Sequence, residues 1–221
     1  SATSYELRDT TRGGGYVTNT ALKTAGYGTV FTDSDNAWGN GLTTSSQTVA
    51  ADAHFGIAKT WDYFKNVHGR SGIDNHGVGA ISRVHYGRNF ANAFWSDACF
   101  CMTFGDGDNG ASIYPLVSID VAAHEMSHGV TSRTADLVYS GESGGLNEAT
   151  SDIFGTGVEF YANNSSDPGD YLIGEKVDLN GNGTPLRYMD KPSKDGNSAD
   201  SWSSSLGNLD VHYSSGPANH M

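Results

Sequence analysis

His124 and His128 stand four residues apart, with Glu125 directly after the first, an H-E-x-x-H arrangement inside an amphipathic run. On a helix, positions i and i+4 share a face, so both imidazoles can grip one zinc ion. Glu125 projects beside that ion without binding it, where a carboxylate takes a proton from a metal-bound water. Zinc that does chemistry wants a third protein ligand and keeps one position open. Glu148 is the residue for the third place: it lies 20 residues after His128, in Gly145-Leu146-Asn147-Glu148-Ala149 of the next expected helix. Asp152 is one turn further on the same face and can receive the outer N–H of a ligand histidine, fixing its tautomer. Asn147 is grouped with Asp152 among the residues that support the ligands.

Carboxylates alone suggest a second metal site. Glu148, Asp152 and Glu159 share a helical stripe, since the step of 11 residues from the first to the last makes about three turns. Asp120 sits one turn before His124. Gathering Asp120, Glu159, Asp170 and Glu175 in one place is repulsive without a cation, and hard oxygen ligands suit calcium. Asp178-Leu179-Asn180-Gly181-Asn182-Gly183 also opens like a calcium loop, but its twelfth position is Met189 instead of Glu, so it reads as a turn.

The elements that must position these groups follow from periodicity. Residues 1 to about 45 alternate in short stretches among Gly, Thr, Ser, Asn and Asp, which reads as strands and turns. From about Thr48 the residues Val49, Ala53, Ile57, Trp61, Phe64 and Val67 recur at helical spacing and end near His68-Gly69. Residues 78–117 are strand-like again. A helix over Ile119 to about Thr131 carries the histidines. A loop through Gly141-Glu142-Ser143-Gly144 leads to a second helix, about Leu146 to Ala162, and the chain is then loop-like to Leu206. The reading is α+β: a β-rich lobe with one long helix over 1–117, a helical lobe over 118–221, and the cleft between them.

Composition excludes other classes. The 221 residues carry 25 acidic against 13 basic side chains, a formal charge of −12 without a basic cluster, which argues against nucleic acid or an anionic membrane as partner. The best apolar run, Tyr114 to Ala123, is short and is broken by Asp120, so no membrane span is expected. Ser1 to Asp9 lack the basic-then-apolar order of a signal peptide, so any export signal is expected to be already removed. Cys99 and Cys101 fit either a very small disulfide ring or two free thiols.

His124-Glu125-x-x-His128 followed by Asn147-Glu148-Ala149-x-Ser151-Asp152 resembles the thermolysin-like family of zinc metalloendopeptidases, closest to its pseudolysin and vibriolysin branch. Ala91-Asn92-Ala93-Phe94-Trp95 and Asp210-Val211-His212-Tyr213-Ser214-Ser215-Gly216 match two further family motifs. The resemblance implies a secreted enzyme that acts on peptides and proteins and cleaves before bulky hydrophobic residues. It makes Glu125 the base, has His212 and Tyr139 donate to the oxyanion, and has Asp210 orient His212. It assigns Asn92 and the backbone of Ala93 to the edge that pairs with extended substrate, and Arg187 to a substrate carbonyl. Leu116, Val121, Ile173 and Leu186 become an apolar pocket. Structural calcium is implied at Asp120, Glu159, Asp170 and Glu175; Leu172 stands where some relatives have a further acidic ligand, so one ion is expected and not a pair. Phe31-Thr32-Asp33-Ser34-Asp35 resembles a weaker calcium loop, but Ala37 replaces a ligand-bearing side chain.

Relatives continue beyond the motif around His212, so a separate C-terminal fragment is an expected partner. The alternative to an active peptidase is an inactive or complementation-dependent metal-binding fragment. A zinc aminopeptidase is disfavoured because no Gly-x-Met-Glu-Asn stretch occurs.

Overall fold

The computed structural model describes residues 4–108, 113–177 and 182–221. Residues 178–181 of the calcium-loop-like stretch therefore lie outside the described residues. The first lobe holds β1 (Tyr5–Glu6), β2 (Arg8–Asp9), β3 (Gly15–Asn19), β4 (Thr29–Val30), β5 (Thr32–Asp33), helix α1 (Ser46–His68), β6 (Ile81–Val84), β7 (Ala93–Ser96) and β8 (Cys101–Phe104). Six of these strands form one sheet in the order β2-β3-β6-β8-β7, with β4 also paired to β3. The register runs parallel through β3, β6 and β8, and β7 closes the sheet antiparallel to β8, leaving β7 as an edge. A disulfide joins Cys99, in the turn before β8, to Cys101, the first residue of that strand.

Helix α1 starts where Ser45 accepts a hydrogen bond from the Thr48 amide and ends where Gly69 takes a left-handed φ of 68°. Its apolar face, Val49, Ala50 and Ala53, joins Val17, Val84, Met102 and Phe104 of the sheet and Val121, Ala122 and Met126 of the next helix in one core.

That next helix, α2 (Ile119–Ser132), is the structural centre of the molecule: Ile119 through Ser127 are all buried. Helices α1 and α3 (Gly141–Ala162) reach it through glycine. A Cβ on Gly56 would lie 2.6 Å from Cβ of Ala122, and one on Gly155 would lie 2.9 Å from the Asp120 carbonyl oxygen. Gly56→Val should therefore destabilise by about 1–3 kcal/mol through overpacking, lowering Tm by several degrees. Thermal unfolding checks this, and an unchanged Tm would contradict the close α1–α2 contact.

Helix α3 begins at Gly141, not at Leu146 as glycine content suggests, so the expected loop through Gly141–Gly144 is its first turn. These glycines serve packing. A Cβ on Gly144 would lie 2.5 Å from Cγ1 of Val211, and one on Gly145 would lie 2.4 Å from Oγ of Ser214. They let α4 (Val211–Ser214) and the following α5 (Gly216–Asn219) lie directly on α3. A second correction concerns the segment read as loop: β9 (Leu172–Ile173) and β10 (Arg187–Tyr188) pair antiparallel, with Arg187 opposite Ile173.

His85, just after β6, ties α1 to the turn after β8. Its Nδ1 lies 2.9 Å from both Asp106 carboxylate oxygens and its Nε2 3.2 Å from the Ser46 carbonyl oxygen. Both partners only accept, so the ring donates from both nitrogens as an imidazolium. Burial pulls the His85 pKa down, but Asp106 and Ser46 outweigh it and raise it above the ordinary 6.5. A histidine raised on folding contributes stability that is fully present below about 6.5 and is lost as pH rises through the folded value. Wild-type Tm should fall across that window, and Asp106→Asn should lower Tm below it while flattening the slope. Parallel pH–Tm profiles for the two proteins would contradict this role.

Candidate active site

Helix geometry sets the two histidines on one face of α2, and each outer ring nitrogen finds an oxygen. His124 Nδ1 donates to Asp152 Oδ1 at 2.8 Å, and His128 Nδ1 to Asn147 Oδ1 at 2.7 Å. Asn147 is held in that orientation because its Nδ2 donates to the Leu137 carbonyl at 3.0 Å. With both Nδ1 atoms acting as donors, the two Nε2 atoms present lone pairs to one point, 2.9 Å apart.

Glu148, from α3, completes this group. Its Oε2 lies 3.3 Å from His124 Nε2 and its Oε1 3.3 Å from His128 Nε2. Glu148 is fully buried, and Oε2 has no hydrogen-bond partner. A buried carboxylate and two facing lone pairs repel one another unless a cation lies among them. Two imidazoles and a carboxylate, with ligand atoms within 4.8 Å of one another, fit zinc with a position left for solvent. With no ion among them, the same three groups draw a proton instead. Burial opposes charge on His124, yet Glu148 and Asp152 push its pKa up to about 10. Burial likewise opposes charge on Glu148, yet the two histidines hold it well below the carboxylate range.

Glu125 is buried beside this point; burial and Glu148 raise its pKa, against the histidines and Arg187. The Tyr139 hydroxyl donates to Glu148 Oε1. His212 Nε2 lies 3.5 Å from the same oxygen, while its Nδ1 is 2.7 Å from Asp210 Oδ1. Asp210 also accepts the His212 amide at 3.0 Å, capping α4 and aiming the ring.

Arg187, expected at a substrate carbonyl, has two nitrogens committed elsewhere. Nε and Nη2 donate to Asp152 Oδ2 and Oδ1 at 2.7 and 2.6 Å. A cleft of about 570 Å³ opens over the group, and Asn92, Ala93, Leu116, Val121, Glu125, Tyr139, Ile173, Leu186, Arg187 and His212 are among its lining residues. Ala93 begins the edge strand β7, and the β9–β10 pair brings Ile173 and Leu186 to the cleft wall.

The carboxylate cluster assembles in part. Asp120, Glu159 and Glu175 offer oxygens within 4.8 Å of one another. Burial and mutual repulsion push Glu159 up to about 9 and Glu175 up to about 8. Asp170 stands outside that trio: its Oδ1 accepts the Leu172 amide at 2.7 Å, while its own amide donates to Glu159 Oε2 at 3.1 Å. Leu172 is half-buried in β9 opposite Tyr188. Asp33 Oδ1 caps its own turn through the Asp35 and Asn36 amides.

Two residues that spacing did not single out join these groups. Burial and the nearby Asp120 raise the Asp167 pKa, while Glu175 and Lys176 beside it pull the other way. Its only sequence signal is membership of the acidic stretch that holds Asp170. Asn219 Nδ2 donates to Asp152 Oδ2 at 2.8 Å across 67 residues, a contact that no local pattern reveals.

Comparison with known proteins agrees with this geometry. Residues 1–132 match the family model of the thermolysin metallopeptidase catalytic domain, and residues 135–221 match that of the thermolysin metallopeptidase alpha-helical domain. A transglutaminase-activating metalloprotease of Streptomyces mobaraensis is 67% identical over 220 residues, covering 100% of this chain and 28% of that protein. A bacillolysin of Brevibacillus brevis is 43% identical over 219 residues, covering 96% of this chain and 38% of that protein. Among solved structures, the precursor of protealysin, a metalloproteinase from Serratia proteamaculans, superposes with a TM-score of 0.74 at 30% identity, covering 93% of this chain and 66% of that one. The chain thus spans about a third of the length of these two curated relatives.

Proposed function

We propose, since this chain belongs to the thermolysin family of metallopeptidases, that it is a zinc-dependent endopeptidase acting on peptides and proteins. The observation that carries this reading is the convergence of His124, His128 and Glu148 beside buried Glu125, in a cleft bordered by β7, an edge strand among the described residues. Zinc bound there supplies a Lewis acid and lowers the pKa of a water. The chain supplies the rest. Glu125 takes the proton of the attacking water on its carboxylate and delivers it to the leaving amine. His212, aimed by Asp210, and the Tyr139 hydroxyl donate to the oxygen on which negative charge develops. An extended peptide adds to the edge at Asn92 and Ala93, its backbone supplying the hydrogen bonds. Leu116, Val121, Ile173 and Leu186 form an apolar wall that favours a bulky hydrophobic residue after the scissile bond, and Arg187 stands beside it.

A peptide blocked at both ends tests this. Cleavage should stop with a chelator and return with added zinc. Cleavage indifferent to the chelator would overturn the reading. The alternative, a metal-binding fragment that works only with a complementary segment, draws support from Leu146, Ile153 and Phe160, exposed along one stripe of α3. It predicts zinc uptake without restored cleavage.

The second cluster supports one structural calcium ion held by Asp120, Glu159 and Glu175, with Asp167 or Asp170 close by. Calcium at about 100 times its dissociation constant should stabilise the fold by about 2.7 kcal/mol. Glu175→Gln should abolish most of that gain in Tm; an equal gain in the variant would place calcium elsewhere. The acidic balance and the family suit a secreted enzyme, and among the described residues no helix is long and apolar enough to cross a membrane.

A further inference from the structure

We propose that Asn219 is a positioning residue that holds the His212-bearing segment in register with the zinc ligands by anchoring it to Asp152, an inference that rests on the peptidase reading above. Asp152 is fully buried on α3 and receives four donors. Its Oδ1 accepts from His124 Nδ1 and Arg187 Nη2, and its Oδ2 accepts from Arg187 Nε and Asn219 Nδ2. A carboxylate offers about four lone-pair sites, so these donors saturate it. They come from α2, β10 and α5, which makes this one side chain the joint of three elements on a fourth.

Asn219 is nearly buried and ends α5. Only Ser215 separates α4 from α5, and it binds both: its amide donates to the Val211 carbonyl, its hydroxyl to the His212 carbonyl at 2.6 Å, and its carbonyl accepts the Asn219 amide at 3.0 Å. Segment 211–219 therefore moves as one piece, with His212 near one end and Asn219 at the other. Gly144 and Gly145 seat the first end against α3. The Asn219–Asp152 hydrogen bond fixes the second. Without it the piece can pivot on α3, carrying His212 Nε2 out of line, and Asp152 loses a restraint on the oxygen pair that orients His124.

Asn219→Leu, alike in branching and heavy-atom count, removes the donor. In the full chain at saturating zinc it should lower kcat on a doubly blocked peptide by about 10–100-fold with KM little changed, as displacement of a transition-state donor does. Release of zinc to a chelator, a readout independent of turnover, should quicken by about 10-fold. In a His212→Ala background the same substitution should cause no further loss of kcat, because it acts through that ring. Asn219→Asp guards against a leucine variant that misfolds. The introduced carboxyl donates to Asp152 only when protonated, so variant activity relative to wild type should fall as pH rises. A purely space-filling role leaves that ratio flat. Wild-type kcat and zinc release in Asn219→Leu, losses that add fully to those of His212→Ala, or a flat pH ratio for Asn219→Asp would each overturn the proposal. The wild-type chain keeps the two levels apart: no chelator-sensitive cleavage of the blocked peptide at saturating zinc refutes the peptidase reading itself, whereas such cleavage beside an unaffected Asn219→Leu refutes only the positioning role.

Discussion

Replacing Glu125 by glutamine should lower kcat on a doubly blocked peptide by about 10²–10⁴-fold, the range a well-placed general acid–base group supplies, while zinc stays bound. The substitution keeps the shape of a buried side chain and removes its ability to accept a proton. Because His124, His128 and Glu148 hold the metal without it, zinc content should match the wild type. A loss of kcat without a loss of metal separates a base from a ligand. Retained turnover would remove Glu125 from the reaction, and lost zinc would move it into the ligand set.

Asp152→Ala should damage both stability and metal binding. Arg187 donates to Asp152 through two nitrogens, and its side chain is almost buried. Removing the carboxylate leaves that guanidinium without its counter-charge, a change that costs about 3–5 kcal/mol in buried pairs. It also frees His124 Nδ1, so the ring loses its fixed tautomer and zinc affinity should drop about 10–100-fold. Urea unfolding and competitive zinc titration report the two effects separately. Adding Arg187→Met should recover part of the stability but none of the zinc affinity, since only the first effect stems from the orphaned charge. Recovery of both together would mean that Asp152 serves the ion pair alone.

The zinc-binding group was legible because its rules are local. Two imidazoles at i and i+4 must share a helix face, and one more turn sets Asp152 behind Glu148 on α3. The limits of α1 and α2 were legible for the same reason, through apolar recurrence and Gly69 at a left-handed end. The start of α3 was not. Gly141, Gly144 and Gly145 look like loop residues, but Gly144 and Gly145 are small because α4 crowds that end of the helix, and Gly141 takes a left-handed φ of 58°. The β9–β10 pair escaped notice because two-residue strands carry no periodicity. The triple convergence on Asp152, and Asp167 beside Glu175, arise from contacts between distant segments, where spacing holds no information. Asp170 sits against the same cluster through its amide on Glu159 Oε2, again a contact that spacing alone does not fix.

Zinc-edge X-ray absorption of protein prepared without chelator tests the metal assignment most directly. One zinc should show two imidazole nitrogens at about 2.0–2.1 Å and carboxylate and solvent oxygens at about 2.0–2.2 Å, with the carboxylate contribution lost in Glu148→Ala. Protein without zinc, or a spectrum unchanged by Glu148→Ala, would contradict a site built from His124, His128 and Glu148.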